Sequence, residues 1–270
     1  MKKLFLLILF SSLYCSGSAS DFRVVSLSPA LTETISHLGG EKYLVGRCSA
    51  CDYPESVKKL PVAGKFGLPE IERIVALKPE WVIGNSFANN NAIKKLRQQG
   101  IAVDIAQIAT AEDYIYWLKL IGSKLNLMSQ AQAAEKVFRQ DEKFLQGLSP
   151  LPLKVLWVVN AKPLIVCGKG SLPDSVLRSV KVENAAGSVE KEYFRCSAEW
   201  LATAQVDLMI WSVPGTPEKT GGFLRNISAV KNKRVILLAM DDPICRPGPR
   251  FMPSVKALRK KIELFYKAEK

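Results

Sequence analysis

The chain has 270 residues, and its 38 lysine and arginine residues exceed its 25 aspartate and glutamate residues, so the formal net charge at pH 7 is +13. His37 is the single histidine, so neither a Ser-His-Asp nor a Cys-His catalytic arrangement is convincing. The sequence has no glycine-rich phosphate-binding loop, and no recognisable nucleic-acid module accompanies the basic residues. We therefore expect a protein that is not an enzyme and binds no nucleic acid. We expect its positive charge to lie on a solvated surface, or to attract anionic ligands or the membrane surface.

Residues 1–20 have the pattern of a secretory signal peptide. Two lysines precede an apolar run at residues 4–10, and small residues follow up to Ser20, where cleavage is expected. The run is too short to span a bilayer, which needs about 20 residues. A lipid anchor at Cys15 is the alternative, which the bulky Tyr14 before it disfavours. We expect a periplasmic protein secreted through this signal, whose net charge falls from +13 to +11 when the two lysines are removed.

The mature chain repeats one plan of strands and helices. Compact apolar segments recur in the same order about 130 residues apart, as expected for an internal duplication. The three pairs of segments are 23–27 with 154–159, 81–83 with 208–210, and 101–105 with 234–238. Because helical stretches separate these segments, we predict an α/β fold of two Rossmann-like lobes with mostly parallel sheets.

Two glutamates occupy matching positions in this repeat. Glu72 opens the amphipathic stretch that leads to Ile83, and Glu199 opens the stretch that leads to Ile210, with the same spacing in both copies. A lone surface glutamate is usually only solvated. The matching positions therefore distinguish this pair from the other acidic residues.

The segment between the two copies favours a single long helix. Residues 128–148 contain strong helix formers and no proline, and Ala133, Val137, Phe144 and Leu148 form an apolar stripe at helical spacing. We predict one long rigid linker helix between the two lobes. The predicted boundaries are 1–20 for the signal peptide, 21–125 for the N-terminal lobe, 126–149 for the linker helix and 150–270 for the C-terminal lobe.

Five cysteines remain after the predicted leader, at positions 48, 51, 167, 196 and 245. An exported protein can form disulfides, but an odd number leaves at least one thiol unpaired or paired between chains. Cys48 and Cys51 are spaced like a redox or metal-binding pair, yet no second ligand pair follows at zinc-ribbon spacing. We predict no metal site, and leave open a structural role, thiol exchange or a part in ligand or metal capture.

Four segments carry distinctive motifs. They are Arg23–Glu33 (RVVSLSPALTE), Val45–Pro54 with its Cys-Asp-Tyr-Pro ending, Glu72–Pro79 (ERIVALKP) and Arg246–Arg250 (RPGPR). In this order and spacing the chain resembles the cobalamin/iron-siderophore class of periplasmic ABC-importer substrate-binding proteins, and it is most similar to the cobalamin-binding branch. The resemblance implies two α/β lobes joined by one helix, with little closure on binding. It also implies a monomer whose partner is an inner-membrane permease, onto which Glu72 and Glu199 dock.

The resemblance further implies the ligand and the residues that bind it. Phe66, Tyr193, Asp242 and Arg246 stand at positions that line the cleft between the lobes in the cobalamin-binding branch. Asn85 stands near the position where that branch has a further large aromatic, and Phe87, two residues later, is the fifth predicted ligand-binding residue. The expected ligand is cobalamin or another corrinoid, and no further cofactor is implied. Haem and a ferric siderophore remain alternatives, with Tyr53 or Tyr193 as the axial ligand of haem. A secreted metallochaperone or thiol enzyme that uses Cys48 and Cys51 is a more distant alternative.

Overall fold

The computed structural model describes residues 22–220, 222–239 and 241–268. The predicted signal peptide and Cys15 therefore lie outside the described residues. Within these ranges, every helix is too short or too polar to cross a membrane.

Strands and helices alternate through both halves of the chain. The first half contains β1 (Val24–Ser26), α1 (Pro29–His37), β2 (Leu44–Arg47), β3 (Gly64–Lys65), β4 (Leu68–Pro69), α2 (Ile71–Ala76), β5 (Trp81–Asn85), α3 (Asn90–Gln98), β6 (Ala102–Ala106), α4 (Ala111–Lys124) and α5 (Met128–Gln146). The second half contains β7 (Lys154–Ala161), β8 (Leu164–Cys167), α6 (Leu172–Ser179), β9 (Glu183–Asn184), β10 (Tyr193–Arg195), α7 (Ala198–Thr203), β11 (Leu208–Trp211), α8 (Pro217–Thr220), α9 (Ser228–Lys231), β12 (Val235–Leu237) and α10 (Phe251–Lys267).

The first lobe is built on a four-stranded parallel sheet. Its strand order is β2-β1-β5-β6, and Val24 of β1 pairs with Leu44 on one side and Trp81 on the other. All three residues of β1 and the first four residues of β5 are buried. Strands that are apolar on both faces require cover on both faces, and the helices between the strands provide it.

The second lobe repeats this plan and adds to it. Strands β7, β11 and β12 pair in parallel and correspond to β1, β5 and β6 of the first sheet. Strand β9 pairs with β7 in the same way that β2 pairs with β1. The extra strands β8 and β10 run antiparallel beyond β7 and have no counterpart in the first sheet. The predicted α/β class, the mostly parallel sheets and the duplication are confirmed.

One long helix, α5, joins the lobes and has 19 residues, which corresponds to a length of about 28 Å. The predicted apolar stripe on this helix is wrong, because Val137 and Phe144 are 58% and 56% exposed, whereas Ala131, Phe138 and Leu145 are buried. The neighbouring helix α4 decides which face is buried. Ala131 packs against Gly122, where a Cβ atom would lie 2.7 Å from that of Ala131.

The hydrophobic core is continuous across the two lobes. One cluster of buried side chains contains Val24 and Trp81 of the first sheet and Val155 and Trp157 of the second, connected through α4, α5 and α10. Phe138 of α5 takes part in it. Because the lobes share packed side chains, their separation is fixed by the core as well as by the helix.

Candidate ligand cleft and ion-pair junction

Two of the predicted ligand-binding aromatics form a pair on the first lobe. Phe66 lies in the turn between β3 and β4, and Phe87 follows β5. Their ring centroids are 5.9 Å apart with an interplanar angle of 41°, within the range in which aromatic rings attract each other. Phe66 is 45% exposed and Phe87 is 73% exposed, so the pair presents a large apolar surface to solvent.

Backbone contacts hold this aromatic pair in place. The amide of Asn89 donates to the carbonyl of Gly67 at 2.9 Å, and the amide of Phe87 donates to the side chain of Asn85 at 3.0 Å. Gly67 has a φ of 75°, and a Cβ atom there would lie 3.0 Å from the carbonyl oxygen of Phe87. Glycine is therefore required for the turn that places Phe66 beside Phe87.

Tyr193 is the predicted aromatic of the second lobe. It lies on β10, the added strand, where it pairs with Cys167 of β8, and it is 47% exposed. Burial of the hydroxyl, together with the neighbouring Cys167 and Glu192, raises the pKa of Tyr193 to about 12. Among the described residues, no ring contact joins Tyr193 to Phe66 or Phe87. We call these three exposed side chains the aromatic rim.

Arg246 lies between the lobes, and its guanidinium group binds two carboxylates of the first lobe. Its Nη1 atom is 2.6 Å from Oδ1 of Asp52 and 3.8 Å from Oε1 of Glu33. The Arg246 side chain is only 15% exposed. Burial raises the pKa of Asp52, but the hydrogen bond and charge of Arg246 outweigh that effect and leave the pKa below its usual value.

Arg250 makes a second connection between the lobes. Its Nε and Nη2 atoms donate to the two carboxylate oxygens of Glu33 at 2.8 and 2.6 Å, and its guanidinium carbon lies 3.8 Å from the centre of the Tyr53 ring. The hydrogen bond with Glu33 raises the pKa of Arg250 above its usual value. Two parallel hydrogen bonds to one carboxylate are strong and directional.

Glu33 is the centre of this arrangement, because its side chain on α1 is only 2% exposed. A buried carboxylate without a cation would be very unfavourable, so the two arginines stabilise Glu33 in its buried position. A close backbone approach accompanies the pairs. A Cβ atom on Gly248 would lie 3.2 Å from the carbonyl oxygen of Ala30. We call Glu33, Asp52, Arg246 and Arg250 the ion-pair junction.

Asp242 has a local structural contact. Its Oδ1 atom accepts a hydrogen bond of 3.0 Å from the amide of Ile244 and caps the short 3₁₀ turn Pro243–Cys245. Arg246 therefore pairs with Asp52 and Glu33, whereas Asp242 caps the turn that precedes Arg246. The ion-pair junction was not predicted from the sequence. The available signal was Glu33, an acidic residue within the apolar start of α1, which requires a cationic partner when it is buried.

Cys48 and Cys51, which precede Asp52 of the junction, are buried together. The sulfur atoms of Cys48 and Cys51 are 3.2 Å apart, and the hydroxyl of Thr32 on α1 donates to Cys51 at 3.1 Å. Across the described ranges, no group of three or more His, Cys, Asp or Glu side chains lies close enough to hold a metal ion.

Glu72 and Glu199 lie at equivalent places in the two lobes. Each is the second residue of a six-residue helix, α2 or α7, that leads into a central strand. Both are exposed, and in the part of the chain that the structure describes neither takes part in an ion pair. The Glu199 carboxylate accepts hydrogen bonds from its own backbone amide and from the Ser197 side chain, and both lower its pKa.

A cavity of about 410 Å³ lies beside the junction and the linker helix. Phe138 and Leu145 of α5 line it together with Pro247 and Phe251. None of the five predicted ligand-binding residues lines this cavity, so this cavity and the predicted cleft are separate features.

The sequence matches the profile of the periplasmic binding protein family over residues 24–241. The chain belongs to this family. It is 26% identical over 257 residues to the vitamin B12-binding protein of Vibrio parahaemolyticus, which covers 93% of each chain.

Solved structures show the same relationship. The periplasmic vitamin B12 binding protein BtuF of Vibrio cholerae superimposes with a TM-score of 0.79 at 25% identity, covering 90% of this chain and 97% of that chain. A periplasmic heme binding protein from Pseudomonas aeruginosa superimposes with a TM-score of 0.79 at 26% identity, covering 91% and 93%. The predicted class of substrate-binding proteins for ABC importers is confirmed.

Proposed function

We propose that the protein captures a corrinoid in the cleft between its lobes and delivers it to the permease of an ABC importer. The observation that carries this proposal is the aromatic rim. Two rings of the first lobe touch each other and remain exposed, and Tyr193 of the second lobe is also exposed. The vitamin B12-binding proteins of the two Vibrio species support the choice of ligand class.

A corrinoid suits this surface for physical reasons. Its macrocycle is large and flat, so it removes apolar area of Phe66, Phe87 and Tyr193 from water when it lies against the rings. Its rim carries amides, and a nucleotide loop adds a phosphate. The guanidinium group of Arg246 keeps N–H groups that Asp52 does not use, and these can donate to such oxygen atoms. Asp242 contributes by holding the turn before Arg246.

The ion-pair junction gives the cleft its shape before the ligand arrives. Glu33 and Arg250 are paired, as are Asp52 and Arg246, so the lobes are connected without ligand. A site that is already arranged loses less conformational entropy on binding than one that must close. We propose that the ligand enters between lobes whose distance barely changes.

Haem is the second candidate, favoured by the structural similarity to the heme binding protein of Pseudomonas aeruginosa and by the exposure of Tyr53 and Tyr193. Two features weigh against it. The Tyr53 ring is covered by Arg250, and the pKa of Tyr193, raised by burial to about 12, disfavours the phenolate that an iron ligand would require.

Calorimetry of the mature protein with cobalamin, cobinamide, haemin and a ferric siderophore tests the ligand. We expect both corrinoids to bind with micromolar or tighter affinity, and haemin and the siderophore to bind more weakly. If only haemin binds, and its Soret band shifts as expected for an axial tyrosinate, the assigned ligand would be haem and not a corrinoid. Failure of both corrinoids to bind at micromolar concentrations would overturn the ligand assignment.

We further propose that Glu72 and Glu199 dock onto the permease. Their support is the equivalence of α2 and α7, the exposure of both side chains and the lack of ion pairs to them within the described ranges. Two acidic side chains at matching places on two lobes present a paired surface to basic residues of a permease with related halves. In this proposal the protein is a soluble periplasmic monomer, secreted through residues 1–20.

Charge reversal tests the docking role. The variant Glu72→Lys/Glu199→Lys is expected to keep its corrinoid affinity and to lose ligand uptake by reconstituted permease vesicles. The matched control is Glu55→Lys/Glu190→Lys, which reverses one glutamate on each lobe whose side chains are 84% and 75% exposed. The control is expected to transport normally. Equal uptake by the docking variant and the control would contradict the role.

A further inference from the structure

Cys48 and Cys51 form the closest pair of thiols among the described residues. Their sulfur atoms are 3.2 Å apart, and the two residues are 0% and 1% exposed. The amide of Cys51 donates to the carbonyl of Cys48 at 3.1 Å, which closes a tight turn. The function proposed above uses neither thiol.

The surrounding contacts hold this turn in one conformation. The guanidinium group of Arg47 donates to the carbonyl of Cys48 at 3.2 Å and to that of Cys51 at 3.1 Å. The hydroxyl of Thr32 donates to the sulfur of Cys51 at 3.1 Å. The turn therefore already holds the two sulfur atoms in contact, and a disulfide requires them to approach to about 2.05 Å.

The two thiols differ in reactivity. The hydrogen bond with Cys51 lowers the pKa of Cys48, whereas burial raises the pKa of Cys51. Because the hydrogen bond that lowers the pKa of Cys48 lies within the turn itself, it acts before α1 buries Cys51. The Cys48 thiolate is therefore the better nucleophile, and Cys51 is placed to resolve a bond that Cys48 forms.

We propose that Cys48 and Cys51 are a modification site at which export introduces an intramolecular disulfide. The Cys48 thiolate attacks one sulfur of a donor disulfide, forming a mixed disulfide and releasing one donor thiolate. The Cys51 thiolate then attacks the Cys48 sulfur and releases the second donor thiolate. The two cysteines lose two electrons to the donor disulfide, and their protons pass through solvent to the released thiolates.

The burial of both thiols sets the timing of this reaction. A disulfide donor the size of a thiol oxidoreductase cannot reach side chains that are at most 1% exposed, so the exchange takes place before the turn is covered by α1. The proposal rests on the exported location in the proposed function. It does not depend on which ligand the cleft binds.

The disulfide would stabilise the residues that follow it. Asp52 and Tyr53 come directly after Cys51 and contact Arg246 and Arg250 of the other lobe. A disulfide across the turn restricts the conformations of the unfolded chain and holds these two residues near their partners.

Peptide mapping tests the modification directly. The full chain is expressed with its own leader, recovered from the periplasmic fraction and alkylated before digestion with trypsin. Cleavage after Arg47 and Lys58 releases both cysteines in one peptide, residues 48–58. We expect this peptide to carry no alkyl group and to be lighter by two hydrogen atoms, and to take up two alkyl groups after reduction.

Two results would overturn the proposal. One is alkylation of both cysteines without prior reduction, and the other is a disulfide between Cys167 and Cys245 in place of the predicted one. If the chain is absent from the periplasmic fraction, the purified mature chain is refolded with oxidised glutathione and mapped in the same way. Absence from the periplasm would contradict the proposed export, whereas the refolded chain still tests whether the disulfide forms. In that experiment, a stable glutathione adduct on Cys48 would contradict the proposal.

Thermal unfolding provides the second readout. Reduction of the oxidised protein is expected to lower its Tm by about 4 °C, as is the variant Cys48→Ala/Cys51→Ala. The Tm of this variant should no longer respond to reductant. Cys196→Ala removes another buried thiol and serves as the control, in which the response to reductant persists. A wild-type Tm that is unchanged by reductant would contradict the stabilising role.

Discussion

The side chains of the ion-pair junction and those of the aromatic rim are arranged in opposite ways. In the junction every charged group is paired, and the Glu33 side chain is only 2% exposed. In the rim, Phe87 is 73% exposed, and among the described residues its ring contacts only that of Phe66. In the proposed function, the paired groups hold the geometry of the cleft and the exposed rings supply apolar surface for the ligand.

This difference explains why residue type alone is a poor guide to a role in the cleft. Arg246 has the chemistry of a ligand-binding residue, but the structure places it 2.6 Å from Asp52 with 15% of its side chain exposed. A paired charge contributes less to a new ligand than a free one, because the first partner must be retained or replaced. The two regions should therefore respond differently to substitution, the junction in stability and the rim in affinity.

The largest effect is expected at the centre of the junction. Glu33→Ala removes the buried partner of Arg250 and should lower the free energy of unfolding by about 3–5 kcal/mol. Urea unfolding monitored by tryptophan fluorescence measures this loss. The exposed pair of Lys169 and Glu190 supplies the control, since Glu190→Ala should change the free energy of unfolding by less than about 1 kcal/mol. Similar values for Glu33→Ala and Glu190→Ala would show that the junction does not stabilise the fold.

An intermediate effect is expected at the rim. Phe66→Ala and Phe87→Ala should each weaken corrinoid binding about tenfold, or about 1.4 kcal/mol, because each removes ring surface that the ligand covers. Their unfolding free energies should stay near the wild-type value, since both side chains are largely exposed.

Calorimetry at fixed temperature measures these affinities. Phe144→Ala is the matched control, because this phenylalanine is 56% exposed on the linker helix, away from the cleft. It should bind corrinoid with unchanged affinity. Equal losses at Phe66 and Phe144 would show that the rim has no special role.

The smallest expected effect is a loss of stability at acidic pH, caused by protonation of Asp52. Because the net effect of Arg246 is to lower the pKa of Asp52, this pair contributes stability above the unfolded pKa of about 3.9 and loses it as the pH falls through the folded pKa. The Asp52 side chain is 36% exposed, so solvent screening limits the contribution to about 0.5 kcal/mol.

Unfolding free energies measured from pH 7 down to pH 3 test this expectation. The wild type should lose about 0.5 kcal/mol more than Asp52→Asn over the acid part of the range. Parallel curves for the two proteins would mean that Asp52 has the same pKa in the folded and unfolded states.

The sheets could be predicted from the sequence because strand patterns are local. Buried parallel strands require continuous apolar runs, and segments 81–83 and 208–210 became the central strands β5 and β11. The equivalence of Glu72 and Glu199 followed from the same repeat. The face of the linker helix could not be predicted, because apolar residues lie on two faces and Gly122 of α4 selects the one with Ala131.

The junction was hidden from sequence reasoning for a different reason. Its two ion pairs join residues that are about two hundred positions apart, so no spacing or periodicity connects them. The 3.2 Å approach of Cys48 and Cys51 was suggested by their spacing, but their burial beneath α1 required the fold. Local patterns therefore predicted the lobes and the helix between them, and only the folded structure shows the ion pairs that join the lobes.

The most direct test of the proposal is a crystal structure of the mature protein with cobinamide bound. We expect the corrin ring to contact Phe66, Phe87 and Tyr193, while Arg246 remains bound to Asp52 and Arg250 to Glu33. A corrin ring in the cavity lined by Phe138 and Phe251, with the aromatic rim still exposed to solvent, would contradict it.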